Sequence, residues 1–346
     1  MITPEKLFQY AVDHKASDIH CVVGRLPVVR IDGELHEMEG GSALTASDVQ
    51  GLVTALVSKE KFAQFEEAKE LDAAYTSQTG DRFRLNCHVE RGNVSFVARL
   101  IPKEIPTLED LRTPEIVKKL LELPHGLILV TGPTGSGKST TLASMIDRIN
   151  SERSETIVTF EDPIEFIFSM KKSVIRQRQL GEDTRSFTEG LKHVLRQDPD
   201  VIMVGEMRDL DTIALALTVA ETGHLVFGTL HTYSAGETID RIIDVFPPHQ
   251  QTQIRLQLAM TLRAVVVQQL LPKKGGGRIA ARELLLNTPA VAHLIRENKT
   301  VQIKSVLQTS AREGMFTFAQ DLRQLVQQGL VEKQKAQEYL VGEVLE

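Results

Sequence analysis

A chain of 346 residues exceeds one ordinary domain of roughly 100–200 residues, so two or three units with separate cores are expected. Its formal net charge of −6 argues against nucleic acid or an anionic membrane as the main partner, since both select a basic face. Cys21 and Cys87 are the only cysteines, which excludes a disulfide framework and the paired spacing of a zinc site, and no apolar run approaches the roughly 18 residues of a membrane span, so the chain reads as cytoplasmic.

In chain order, Thr3 before Pro4 starts a helix over residues 3–15, with Leu7, Phe8, Ala11 and Val12 at helical spacing. Short apolar runs at 19–23 and 28–31, broken by Gly24, Pro27 and Asp32-Gly33, predict strands of a small sheet. Residues 45–68 read as helical again. Over 82–89 the pattern alternates, with Phe83, Leu85, Cys87 and Val89 on one face and Arg82, Arg84, Asn86 and His88 on the other. Arg91-Gly92-Asn93 turns that strand into the next, over 94–101. Residues 1–101 are thus expected to form an α+β domain, followed by a linker over 102–119 that Pro102, Pro106 and Pro114 stiffen. A second domain, 120–346, has buried-strand candidates at 127–130, 156–160, 201–204 and 225–230, separated by helix-like segments such as 140–149 and 212–221. Alternation of that kind predicts a parallel α/β sheet. After Gly275-Gly276-Gly277 an alternating strand over 279–286 leads into a mostly helical end, so that 275–346 forms a largely helical C-terminal part.

Gly132-Pro133-Thr134-Gly135-Ser136-Gly137-Lys138-Ser139 fits G-x-x-x-x-G-K-[ST] without a mismatch. The strand LILVT runs into it, and Thr140 opens a helix with Leu142, Met145, Ile146 and Ile149 on one face. Glycines let successive backbone N–H groups point at phosphate, and the helix N-terminus adds partial positive charge. Lys138 is expected to meet the β and γ phosphates of ATP, and Ser139 to offer its hydroxyl to Mg2+.

Hydrolysis also needs carboxylates at the carboxyl ends of neighbouring strands. TIVTF ends in Glu161 and VIMVG in Glu206. Glu161 is expected to polarise the attacking water and Glu206 to be the metal-side carboxylate, and the two roles are interchangeable at this level. Thr222-Gly223-His224 ends a helix and Thr229-Leu230-His231-Thr232 ends the next strand. Both histidines are therefore expected at the active edge of the sheet, as candidates for sensing the γ-phosphate, His224 as a nucleotide contact and His231 in the chemistry.

Longer segments carry a closer likeness: FEDPIEF at 160–166, DPDVIMVGEMRD at 198–209, TGHLVFGTLHT at 222–232, RIIDVFPPHQQ at 241–251 and PAVAHLIRENK at 289–299. With the glycine-rich run, these make nearly the whole chain resemble the secretion ATPases of the GspE, PilB and PilT type, and among them the retraction ATPases of type IV pili. The resemblance implies a PAS-like N-terminal domain joined to a RecA-like P-loop ATPase domain, six copies in a ring, and ATP between the two domains. It implies that arginines of the first domain reach the phosphates. Among Arg82, Arg84, Arg91 and Arg99, it favours Arg84 and Arg99, because FRLN and ARLIP are similar to the family's strand segments. It also implies force delivered to an inner-membrane platform protein at the base of the pilus machine, with pilus retraction and twitching motility as output. At 290–297 the family's AIRNLIRE element has Ala292 and His293 in place of an arginine and an asparagine, which leaves room for an accessory motor acting with a paralogous retraction ATPase.

Assembly or type II secretion ATPases usually carry a further N-terminal domain and a four-cysteine metal element, and neither is visible. A RecA-like nucleic-acid translocase is disfavoured: the basic stretches, Lys171-Lys172 and Arg176 with Arg178, lack interleaved aromatics for base stacking. A nucleotide-binding scaffold without turnover is opposed by Lys138, Glu161 and Glu206 together.

Overall fold

The computed structural model describes residues 2–31, 33–101 and 103–340; Asp32 of the expected turn, Pro102 of the expected linker and residues 341–346 lie outside the described residues. Two units divide the chain, Met1–Glu104 and Ile105–Glu346.

The first unit contains α1 (Pro4–Asp13), β1 (Asp18–Cys21), β2 (Val28–Ile31), β3 (Glu34–Glu37), α2 (Ala46–Leu56), α3 (Lys59–Ala68), β4 (Glu70–Thr76), β5 (Arg82–Glu90) and β6 (Asn93–Ile101). Its strands form one antiparallel sheet in the order β3-β2-β1-β6-β5-β4. Alternation along β5 sends Phe83, Leu85 and Cys87 into a core shared with Phe8, Leu52 and Phe65, while Arg82, Arg84 and Asn86 stay half-buried on the opposite face. Residues 45–68, expected to be helical, form two helices, α2 and α3. Val57 is extended and Ser58 caps α3, its hydroxyl accepting from the Lys61 N–H. A short hydroxyl side chain bonded to its own backbone competes with helix continuation, so the chain breaks without glycine or proline.

The second unit contains α4 (Glu115–Leu120), β7 (Gly126–Thr131), α5 (Lys138–Glu152), β8 (Thr156–Glu161), β9 (Val174–Gln179), α6 (Phe187–Val194), β10 (Val201–Val204), α7 (Leu210–Glu221), β11 (Leu225–Leu230), α8 (Ala235–Asp244), α9 (Pro248–Thr261), β12 (Leu262–Pro272), β13 (Arg278–Leu286), α10 (Pro289–Arg296), α11 (Ile303–Thr309), α12 (Phe318–Gln327) and α13 (Lys333–Gln337). The sheet order is β13-β12-β7-β11-β10-β8-β9, parallel throughout except for β13. Along β7, Leu127 and Leu129 join the core built with α6 to α11, whereas Ile128 and Val130 join the core built with α5. Burial on both faces is why these strands read as unbroken apolar runs. The segment expected as a linker supplies Leu108 and Val117 to the core on the α5 side. Because β7, β8, β10 and β11 run parallel, their carboxyl ends open onto one edge, where a site of this fold class lies.

Candidate active site

At that edge β7 enters a loop whose backbone only glycine permits. Gly132, Gly135 and Gly137 all have positive φ, and a Cβ on Gly132 would stand 2.1 Å from the Gln268 carbonyl oxygen. Gly137 begins α5 without any side-chain cap, so the N–H groups of the first turn and the positive end of the helix face the loop. Lys138 reaches back over the loop and donates to the carbonyls of Gly132 at 2.8 Å and Pro133 at 3.0 Å. Burial lowers its pKa, while the nearby Glu206 and Glu165 act in the other direction. Ser136 is buried, Thr134 and Ser139 are exposed, and Thr140 is half-buried. Backbone donors, one ammonium and an accessible hydroxyl are the equipment for holding a polyphosphate.

The two acids expected from the sequence end β8 and follow β10. Glu161 is 8% exposed and accepts from the Thr159 hydroxyl at 2.6 Å and the Gln177 amide at 3.0 Å. Burial outweighs these donors and raises its pKa. Glu206 follows Gly205, whose N–H donates to the Phe160 carbonyl at 2.7 Å; a Cβ there would be 3.0 Å from that oxygen, so glycine lets the two strand ends close up. Oε1 of Glu206 pairs with Arg208 and, at 3.1 Å, with Nε2 of His231. Burial works to raise the Glu206 pKa, but Arg208 and His231 prevail and hold it below the ordinary range. One carboxyl is thus disposed to take a proton and the other to remain an anion.

His231 lies where expected, just past β11, and the Thr229 hydroxyl bonds the Gly205 carbonyl to tie β11 to β10. His224 does not. It precedes β11, which pairs Leu225 with Gly126 and Leu230 with Thr131, so His224 stands at the amino edge, roughly 20 Å of strand away. Its ring meets the Val219 carbonyl at 3.1 Å and the Thr222 hydroxyl at 3.2 Å, closing the end of α7. The expectation that both histidines share the active edge is therefore corrected in placement: of the two, only His231 stands at the carboxyl ends of the strands.

Arg84 and Arg99 belong to the first unit, where β5 and β6 place them directly opposite each other. Arg99 donates through Nε to Asp18 at 2.8 Å, and Arg84 lies 3.7 Å from Asp72. Sequence reasoning missed Arg208, which sits two residues past Glu206, and Gln177 on β9. It also missed Glu283 on β13, which accepts from the Ala235 N–H at 2.8 Å and so anchors α8 just beyond His231. For Arg208 the MRD run after Glu206 held a signal; Gln177 and Glu283 are brought in only by sheet topology.

Residues 96–276 match the family described as type II/IV secretion system protein. The chain belongs to that family. This secretion-family chain is 44% identical over 333 residues, 96% of either chain, to the type IV pilus retraction ATPase PilT of Pseudomonas aeruginosa. It is 47% identical over 311 residues, 90% of this chain and 83% of the other, to a twitching motility protein of Neisseria gonorrhoeae. Among solved structures, the pilus retraction motor PilT with bound ADP superposes with a TM-score of 0.90 at 47% identity, over 98% of this chain and 97% of that one. The α/β fold expected from the sequence, a P-loop unit preceded by an α+β unit, is shared with that motor. No helix among the described residues is long and apolar enough to cross a membrane.

Proposed function

We propose that this secretion-family chain hydrolyses Mg-ATP and, as a homohexamer on the cytoplasmic side of the inner-membrane pilus base, powers type IV pilus retraction against a platform protein. The observation that carries the proposal is the meeting, at one sheet edge, of Lys138, the anionic Glu206 with His231, and the protonatable Glu161. Residues 132–140 hold the phosphates through backbone N–H groups, and Lys138 exchanges its two carbonyl partners for phosphate oxygens. The Ser139 hydroxyl and the Glu206 carboxylate are hard oxygen donors suited to Mg2+, and the lowered pKa of Glu206 keeps its charge available. Bound Mg2+ neutralises charge on the phosphates. Glu161 orients the attacking water and accepts its proton, a role that its raised pKa favours. His231, sharing Oε1 of Glu206, reports on the γ-phosphate. Arg84 and Arg99 neutralise charge on the transferred phosphoryl group.

Two measurements test this. Purified protein should release phosphate from ATP, and Glu206→Ala should abolish it. In the native host, deletion should leave abundant surface pili with motility lost, restored by wild type and not by Glu206→Ala. Loss of pili on deletion would instead make the chain an assembly ATPase. A second proposal, an accessory motor beside a paralogous retraction ATPase, draws on Ala292. This residue is buried on α10, where the family pattern carries arginine. In that case deletion would weaken retraction and the paralogue would retain part of it.

A further inference from the structure

One side chain that hydrolysis itself does not use braces the phosphate loop. Gln268 lies on β12, one residue past the pairing of Val267 with Thr131, and is 1% exposed. Its amide nitrogen donates to the Ser136 carbonyl at 2.8 Å, and its amide oxygen accepts from the Thr141 hydroxyl at 3.0 Å. A carbonyl can only accept, so the contact with Ser136 fixes which end of the amide faces the loop. The backbone carbonyl of Gln268 also abuts Gly132, and its Nε2 would lie 3.3 Å from a Cβ on Gly137. Gln268 therefore touches the loop at its first glycine, at the Ser136-Gly137 peptide and in the first turn of α5.

A buried amide is costly unless both ends are bonded, and an apolar side chain of similar length would fill the same volume. What the amide adds is direction. The Ser136-Gly137 peptide is trans, so its C=O and N–H point opposite ways. With the carbonyl drawn to Gln268, the Gly137 N–H faces away from β12, beside the open first-turn N–H groups of α5. We propose that Gln268 is a positioning residue for nucleoside di- and triphosphates, setting the Ser136-Gly137 peptide plane so that the Gly137 N–H is presented to phosphate. This rests on the proposed use of residues 132–140 as the phosphate cradle.

Gln268→Met keeps length and approximate volume and removes both hydrogen bonds. In the full-length protein, ADP affinity by equilibrium binding should fall about tenfold, roughly the worth of one well-aligned bond. KM for ATP should rise by about the same factor with kcat within about threefold, because the N–H serves ground and transition states alike. A merely structural role would lower the nucleotide-free melting temperature and leave ADP affinity unchanged. Gln268→Asn, one methylene too short to span Ser136 and Thr141, should show the same affinity loss. Folded variants with ADP affinity within about twofold of wild type would overturn the inference, and so would failure of both to fold, since Gln268 would then be a core requirement. Wild-type protein that binds no ADP would overturn the proposed function itself, and this inference with it.

Discussion

Replacing Glu161 by glutamine separates chemistry from stability at a single position. The side chain is buried at the end of β8, and burial raises its pKa in spite of the Thr159 and Gln177 donors. The folded chain therefore keeps this proton to a higher pH than the unfolded chain does. Between those two values the native state binds more protons, so stability falls as pH rises, by up to about 1.4 kcal/mol per pH unit for one proton. Below the ordinary glutamate range both states are protonated, and wild type and Glu161→Gln should differ by a constant offset only. Glutamine keeps an oxygen to accept from Thr159 and Gln177 and carries no charge, so the variant lacks the slope. For a unit of this size about 1 kcal/mol moves the midpoint by roughly 2–4 °C. The variant should thus gain on wild type by about 3–6 °C per pH unit, from about pH 5 up to the folded pKa. Thermal melts of nucleotide-free protein across that range, with phosphate release measured in parallel, provide the test. Turnover should drop at least about a hundredfold. Identical pH dependence in the two proteins would refute the burial argument, and retained turnover would take Glu161 out of the chemistry.

Lys138→Ala should abolish steady-state phosphate release and weaken ADP binding by about tenfold or more, since it removes a cation from the phosphate site; isothermal titration checks the second part. Arg99→Ala removes the partner of Asp18, whose pKa is held down against burial by Ser17 and Arg99. The stability this pair gives is present above the unfolded aspartate pKa and fades as pH falls. With an Arg99 side chain 68% exposed, urea titration at neutral pH should register a loss of at most about 1 kcal/mol, while turnover falls at least about tenfold if Arg99 serves the phosphoryl group. Gly190→Ala puts a Cβ 2.3 Å from a ring carbon of Phe160 and should cost about 1–3 kcal/mol by the same titration.

The central strands were legible because they are buried on both faces: 201–204 and 225–230 coincide with β10 and β11. At the edges the signal fades. β9 reads Val-Ile-Arg-Gln-Arg-Gln, apolar only at its start, because an edge strand exposes part of its polar side chains. β12 follows α9 directly, with Thr261 ending the helix and Leu262 starting the strand, so no turn residue separates the two periods. The placement of the loop 132–139 and of both glutamates at the carboxyl edge was legible because each lies beside its own strand end. His224 was misplaced because Thr222-Gly223-His224 looks alike at either end of a strand, and only the register of β11 against β7 tells the ends apart. Gln268 and Glu283 enter the site region from strands more than a hundred residues beyond the loop, and nothing local in sequence announces such a contact.

Why two glutamates at adjacent strand ends diverge in proton affinity follows from what surrounds each, with no difference in residue type. The ends are locked together: the Gly205 N–H bonds Phe160, the Thr229 hydroxyl bonds Gly205, and the Met207 N–H bonds Thr229. Within that frame Glu161 receives only neutral donors, Thr159, Gln177 and the Glu165 N–H, and faces the Glu165 charge, whereas Glu206 has the Arg208 guanidinium and the His231 ring. Glu161 is also the more deeply buried of the two, and a cation stabilises a carboxylate more strongly than a neutral donor does, so burial prevails at Glu161 and is overcome at Glu206. The position of Arg208 thus favours the proposed division into proton acceptor and metal-side anion, which stays interchangeable while only the sequence is considered.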